Sequence, residues 1–483
     1  MVVGSKKVVV VALFLACVLV LSQWGIFTKG IFSLGLNTVI AGGLFWYLLF
    51  ISSDTKLSKS DIAWYLPLWL ILTSFILFEN PWLKLLSIPL LPIFTGVVYS
   101  FRQIRNCDDL SWDVRLLDKL IMRTISPIRY LSDARYCIAF YFKPSHSKLY
   151  HNMLIRVLTG AAILTILASL VLVLLSSADA KFAELVAGIF NSFWRGLNVE
   201  IAFKLIAIGG VAILIIAILL AWQTQGKPIE ERERKENLDD VVSGIVIGGI
   251  LAIYVTFLFL QLEYLIIGEL PADFSETEKI VKSGFWQLFF LSAINAVMFF
   301  ILYKRTSKFV EILLRAFIFL SSLLVLSAFW RLGLYIYWYG LSHEKFFAGY
   351  TSLFALFMFT FLTGASFLSK RVDIFKLIVF SSLWFYAVAG LLPVERIIFK
   401  SNLYLSVQDD TRVDLHHLTH MSIDVMNDVQ ENLKTGKLKH QSWQGWLSEN
   451  YAMSCKGKWY ETNFSRLLYC RDDYLQTKLV IRD

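Results

Sequence analysis

The sequence predicts an all-α integral membrane protein with about eleven transmembrane helices and a small outer C-terminal helical segment. Three observations carry this. The 483 residues are 57% hydrophobic and only 17% charged, too apolar to cover a soluble surface of this size. The apolar residues come in runs of about 20, the length a helix needs to cross the hydrocarbon core. The runs are separated by loops whose Lys and Arg content alternates between rich and poor. Backbone amides in lipid need internal partners, so such runs read as helices. The alternating ten-residue pattern of an outer-membrane barrel is absent from the sequence.

The expected spans are 8–27, 31–51, 62–78, 83–101, 154–175, 203–222, 241–262, 284–303, 309–331, 346–368 and 374–392. The first follows Lys6 and Lys7 but is too long for a signal-peptide core and shows no small-residue cleavage site, so it counts as a span. The third is short and contains Pro67. With the N-terminus in the cytoplasm, the inner segments hold 22 Lys or Arg and the outer connections before the tail six. That bias fixes the N-terminus inside, and an odd span count puts the tail outside.

The organisation that follows has four parts: four helices over 1–101, a basic cytoplasmic amphipathic loop over 102–153, a seven-helix core over 154–392, and an extracytoplasmic tail over 393–483. In the inner loop Trp112, Leu116, Leu117, Leu120 and Ile121 alternate with basic residues, as in helices lying on the inner leaflet. Segment 182–197 carries Phe182, Leu185, Val186, Ile189, Phe190, Phe193, Trp194 and Leu197 along one helix face, which predicts an interfacial helix or one buried against the bundle. The net charge of +9 is topological information with a contribution from lipid headgroups. Membrane lipids are the expected partners, and no nucleic-acid motif is present.

The tail holds twelve Lys or Arg and twelve Asp or Glu. A helix is expected from near Asp414 to Lys434, interrupted at Ser422 and stopped by Gly436. Trp443, Trp446, Leu447, Tyr451, Trp459, Phe464, Leu467 and Leu468 form either a small core or an interfacial anchor. Cys455 and Cys470 are the two cysteines of the tail, as expected of one disulfide on the oxidising side; Cys107 and Cys137 fall in the inner loop. His416, His420 and Asp424 recur at one-turn spacing and are weak metal candidates, with solvated helix residues the plainer alternative. No cofactor motif is recognisable.

Several patches occur in a telling order. They are Leu174–Phe182 with Asp179, then Gly284–Leu288 with Gln287, then Arg331, Leu334-Tyr335 and Tyr339–Ser342. Asn402, Asp414-Leu415, Leu418 and Ser422–Val425 follow in the tail, and finally Trp459 and Asn463–Arg466. Together they resemble an uncharacterised family of bacterial multi-pass inner-membrane proteins known only as a domain of unknown function. The resemblance covers about 150–470 and implies a bacterial inner membrane, without an activity. The three tail histidines depart from the family's usual Asp or Tyr, Leu and Ser, and Ile423 and Asn427 stand where prolines are usual.

The expected topology places every one of these patches on the outer face. Asp179, Gln287, Arg331, Tyr335, Tyr339, Asp414, Asp424 and Arg466 therefore form a candidate outer-face polar cluster, with Asp179 and Arg331 paired because single charges near lipid are expensive. No catalytic constellation is recognisable, and few ionisable residues lie mid-span apart from Glu311, Arg315 and the polar Asn295. The favoured reading is a non-catalytic sensing, scaffolding or envelope-associated protein, with another envelope protein as a possible partner. A transporter or channel and an intramembrane enzyme are the alternatives.

Overall fold

The computed structural model describes residues 6–52, 59–104, 125–142, 199–224, 239–267, 287, 290–303, 306–367, 374–408, 411–413, 415–438, 443, 445–446 and 459–470. Among them the secondary structure is helical throughout, with no strand. The helices are α1 (Lys6–Gln23), α2 (Ile26–Lys29), α3 (Leu36–Ser52), α4 (Lys59–Leu77), α5 (Pro81–Ile104), α6 (Leu131–Phe142), α7 (Val199–Thr224) and α8 (Asp240–Ile267). There follow α9 (Phe290–Leu302), α10 (Lys308–Tyr339), α11 (His343–Phe367), α12 (Ile374–Leu391), α13 (Val394–Leu405), α14 (Met426–Lys434) and α15 (Phe464–Tyr469).

Five stretches are long and apolar enough to cross a membrane: Pro81–Tyr99, Glu200–Gln223, Asp240–Phe259, Lys308–Tyr339 and His343–Phe367. The pair α12–α13, bent by 64° at Leu392-Pro393, makes a sixth if counted as one broken span. Shorter apolar helices occupy Lys7–Gln23, Leu36–Ile51, Asp61–Leu77 and Phe290–Leu302, where other spans were expected. The expected span 154–175 and the surface helix 182–197 lie outside the described residues.

The chain divides into two compact units. The first comprises Met1–Trp24, Ala41–Thr55 and Ile125–Gln225; the second comprises Gly25–Ile40, Lys56–Thr124 and Gly226–Asp483. In the first, α1 packs on α7, and α6 with the 3-10 turn Ser126–Tyr130 packs on α7. Val8, Ala12, Leu15 and Ala16 of α1 are buried at helical spacing, and Ala12, Ala16 and Ala212 allow close approach of the two backbones.

In the second unit α8 and α11 both pack on α10, and α12 packs on α4. A polar chain threads the first of these contacts. Tyr254 Oη donates to Asn295 Oδ1 at 2.6 Å, Asn295 Nδ2 donates to Ser321 Oγ at 3.0 Å, and Ser321 Oγ donates to the Phe317 carbonyl at 2.8 Å. The proline within α4 is accommodated by its neighbour. Pro67 has no N–H for the Ala63 carbonyl one turn back, and Trp384 Nε1 on α12 donates to that carbonyl at 3.2 Å. The short third span is therefore a helix, with its missing hydrogen bond replaced from a neighbouring helix.

Helix α10 continues through Arg331 and Tyr335 to Tyr339, two turns past the expected end of the span at 331. Gly340 stops it with φ +76°. The exposed carbonyls at its end are taken up by the Arg412 amide on Trp338 (2.8 Å) and by Lys345 Nζ on Gly340 (2.6 Å). Asn402 of α13 then holds the reversal from both sides: its Oδ1 accepts from Leu341 N at 2.6 Å and its Nδ2 donates to Leu341 O at 2.7 Å.

The tail corrects the expected helix 414–434. Residues Leu415–His420 form a 3-10 helix, Met421-Ser422 are non-helical, Ile423–Val425 form a second 3-10 turn, and only α14 is α-helical. Ser422 causes the break by capping: its Oγ accepts from Asp424 N at 3.3 Å. The stop at Gly436 is as expected, with φ +71° and Lys437 N donating to Asn432 O at 3.0 Å. The apolar residues of the tail do not form a single core. Trp443 and Trp446 join Phe399, Ile398, Val425 and Val429 in a buried core, whereas Trp459, Phe464, Leu467 and Leu468 are exposed. Leu447 and Tyr451 lie outside the described residues.

A Cβ at position 340 would sit 2.5 Å from Asn402 Oδ1 in a backbone conformation that L side chains disfavour. Gly340→Ala is expected to destabilise the protein by about 1–3 kcal/mol, read as a lower melting temperature in detergent; an unchanged midpoint would contradict the role given to this reversal.

Candidate functional site

The charged residues that matter most converge where α4 ends and α5 begins. Asn80 caps α5: its Oδ1 accepts from Trp82 N at 3.0 Å and Leu83 N at 3.3 Å, and Pro81 follows at the position where a missing N–H is harmless. The cap turns the Glu79 and Asn80 amides toward the tail. Glu79 N donates to both oxygens of Asp424 at 2.9 Å, and Asn80 N donates to Asp424 Oδ2 at 3.1 Å. Ser465 Oγ donates to Asp424 Oδ1 at 2.5 Å. One tail carboxylate thus accepts the free amides of a helix–helix reversal more than 340 residues earlier in the chain.

The Glu79 side chain makes the reciprocal contact. Its Oε1 accepts from Arg466 Nη2 at 2.5 Å; its Oε2 accepts from Lys84 Nζ at 3.2 Å and from Asn463 Nδ2. All four residues are buried, with 0% exposure for Glu79. Arg466 and Lys84 have donors to spare, and these go to backbone carbonyls. Arg466 donates to Glu461 O at 3.1 Å and to Phe32 O, and Lys84 donates to Leu34 O at 2.7 Å. The turn 30–35 is bound in turn by Leu36 N donating to Thr462 O at 3.1 Å. Only glycine fits at 35, since a Cβ there would lie 2.5 Å from Thr462 O and 2.6 Å from Glu461 O.

A third carboxylate extends the network along α13. Buried Glu395 accepts from Ser422 N at 2.8 Å and from Ser422 Oγ at 2.5 Å through Oε2. Its Oε1 faces His343 Nε2, at the start of α11, at 3.3 Å without the alignment of a hydrogen bond. One turn above, Asp428 pairs with Arg396 at 2.8 Å and Lys400 at 3.4 Å on the solvent side. Four interhelix connections, at 30–35, 78–80, 340–342 and 392–393, are therefore gathered by one tail.

The electrostatics follow from the inventory. Glu79, Glu395, Asp424 and Glu461 are buried, against buried Lys84 and Arg466. Asp424 is pushed up to about 7, first by burial and then by the charge of Glu395; the hydrogen bonds from Ser465 and the Glu79 amide oppose this.

Of the expected cluster, Asp424 and Arg466 meet in this network, bridged by Glu79. Tyr335 is buried elsewhere in the unit, with Lys345 Nζ 4.0 Å above its ring and Tyr339 5.3 Å away. Arg331 is half-buried and Gln287 exposed. Asp179, and with it the expected Asp179–Arg331 pair, lies outside the described residues, as does Asp414. Cys470 is disulfide-bonded; Cys455, its expected partner, lies outside the described residues. The metal spacing assumed a continuous α-helix. His420 is exposed on the 3-10 turn, Asp424 is buried beyond the break, and the His416 side chain lies outside the described residues. No group of three His, Cys, Asp or Glu is placed for a metal among the described residues. Glu79, Lys84, Glu395 and His343 escaped sequence reasoning. The signal was the run Phe78-Glu79-Asn80-Pro81, an acid and a helix cap squeezed between two apolar runs.

Arginine removal leaves buried Glu79 with Lys84 as its one cation among the described residues and strips Oε1 of its donor. Arg466→Gln is expected to cost about 3–5 kcal/mol, and adding Glu79→Gln should recover part of it; thermal unfolding of the four proteins of this cycle measures both. Simple additivity would mean that the pair does not act as a unit.

The Asp424 shift also has a sign. Between its ordinary value of 3.8 and about 7 the folded state holds a proton that the unfolded state has lost. The stability from this group is complete below that window and disappears as pH rises through 7, by on the order of 4 kcal/mol at most. The melting temperature of the wild type, relative to Asp424→Asn, should therefore fall from pH 4 to pH 8; a flat difference would remove Asp424 as the titrating group.

No curated protein and no solved structure matches the chain. A family model does, over residues 65–431, beginning inside α4 and ending in α14. The match starts well before the resemblance near residue 150, so most of α4, all of α5 and the Glu79 reversal are inside it; Asn463, Ser465 and Arg466 lie beyond its end. With most of its length matched, the chain belongs to the family described as Domain of unknown function (DUF4153).

Proposed function

We propose that this chain is a multi-pass bacterial inner-membrane protein that acts without catalysis at the outer face, scaffolding or sensing through its tail. The observation that carries this reading is the use to which the buried acids are put. Every described hydrogen bond to Asp424 comes from the α4–α5 reversal or from Ser465, and Glu79 binds Arg466, Lys84 and Asn463. Their chemistry is consumed in seating the tail on the ends of membrane-capable helices. The Tyr254–Asn295–Ser321 chain is likewise paired internally, which weighs against a transport pathway there.

Topology supports eleven spans. A chain that leaves one face and returns to it crosses an even number of times. Two helices, α3 and α4, separate the connection at 30–35 from that at 78–80. Two more, α11 and α12, separate 340–342 from 392–393. Between 78–80 and 340–342 the described residues hold five apolar helices, α5, α7, α8, α9 and α10, beside the short α6, which is not among the apolar helices, so an even number of crossings calls for one more. In the sequence the apolar run 154–175 is long enough to be that crossing. The bias of Lys and Arg toward the opposite loops favours the outside for this face. Membrane lipids and another envelope protein at the outer face are the partners in this reading.

Fusions at the two ends test it. Alkaline phosphatase after Asp483 should be active and a fluorescent protein there dark, with the opposite result before Met1. A fluorescent protein glowing at the C-terminus would overturn outer-face action.

A further inference from the structure

Helix α15 is built inside out. Ser465, Arg466 and Tyr469 share one face and are 6%, 4% and 6% exposed; Ser465 binds Asp424, Arg466 binds Glu79, and Tyr469 joins the tail core. Phe464, Leu467 and Leu468 share the other, at i, i+3 and i+4, and are 54%, 58% and 45% exposed. Trp459, one 3-10 turn upstream, is 74% exposed, while Glu461 in the same turn is buried. A segment in water would arrange these residues the other way, with the leucines inward and the arginine outward. The inverted order is what a segment bordered by lipid requires.

The position of the helix agrees. Asn463 and Arg466 bind Glu79, two residues before α5 starts, so α15 lies level with the ends of α4 and α5. The first turns of α5 also turn apolar residues outward: Trp82 is 48% exposed, Leu85 51% and Leu86 42%. A tryptophan above aliphatic side chains at a helix end is the pattern of a membrane–water interface.

We propose that Trp459 and the Phe464–Leu467–Leu468 face of α15 insert into the headgroup–acyl boundary of the bilayer, anchoring the tail in the leaflet on which it sits. The buried ion pair and the lipid contact then act from opposite sides of a helix of six residues, too short to be stable alone. Arg466 fixes the register of the helix and the apolar face fixes its depth. The inference rests on the chain spanning a membrane; it is independent of which leaflet the tail meets, so the terminal fusions can fail while this survives.

The full chain, with Cys17, Cys107 and Cys137 replaced by serine, would carry a nitroxide at Leu467→Cys. A second version would carry it at Lys437→Cys, an exposed position of the tail. Both would be reconstituted in vesicles of phosphatidylethanolamine and phosphatidylglycerol. The label at 467 should be relaxed several-fold more by oxygen, which concentrates in lipid, than by a water-soluble nickel chelate; the order should reverse at 437. Nickel preference at 467 would overturn the proposal. So would protection from both reagents with spin–spin broadening, which would show a second copy of the chain covering the face. Should Leu467→Cys fail to fold, Phe464→Cys reports on the same face and decides between the same outcomes.

Discussion

The contact between the Asp424 carboxylate and the free amides of Glu79 and Asn80 organises the second unit. A reversal between two antiparallel apolar helices exposes unpaired N–H groups at the start of the second helix, and these need acceptors. In most proteins water or a local side chain provides them. Here Asn80 takes the amides of Trp82 and Leu83, and an acid from the far end of the chain takes the two before them. Once Asp424 is in place, Ser465 and Arg466 are brought to Glu79, and Thr462 to the turn 30–35. Long-range order in this unit follows from one hydrogen-bonding requirement.

Buried charges are tolerated because the network is dense. An isolated carboxylate at 0% exposure would not stay ionised cheaply, but Glu79 has a guanidinium, an ammonium and an amide around it. The cations in turn spend their spare protons on the carbonyls of Phe32, Leu34 and Glu461, which lie in turns and lack helical partners. The balance is uneven, with more buried acids than bases, and the excess falls on Asp424 and Glu395, linked through Ser422. Proton uptake by Asp424 relieves that excess without removing the amide contacts, which explains why an acid holding three donors still sits high.

How much of this was legible depended on where the information lay. Membrane-capable helices follow from run length, and Gly436 as a stop follows from local chemistry, so both were readable. Asp424 and Arg466 entered the candidate cluster through ordered patches of the tail. Their true partner did not, because Glu79 and Lys84 sit at the edges of two apolar runs and look like ordinary boundary charges. Only the fold, which brings residue 79 to residue 466, distinguishes them. The helical spacing of His416, His420 and Asp424 misled for a related reason: periodicity assumes one continuous helix, and the Ser422 cap divides this one into 3-10 turns. Trp443 and Trp459 both stand among mostly polar neighbours in the sequence, and what sends one to the core and the other to the surface is the seating of the tail.

Polar groups in this unit are graded by depth, and the grading has a physical cause. Along the paired helices α8, α9 and α10 the buried polar groups are neutral: Tyr254, Asn295 and Ser321 pass hydrogen bonds from one to the next. Ionised pairs occur at the helix ends, where Glu79, Lys84 and Arg466 meet. Transfer of a full charge into hydrocarbon costs more than transfer of a hydroxyl or amide, and the difference shrinks toward the interface. Specificity of helix pairing is thus entrusted to neutral groups in the interior, and attachment of the tail to charges at the rim. A clamp made of charges needs water kept out to be strong and some water nearby to be affordable, and the rim of a helix bundle meets both conditions.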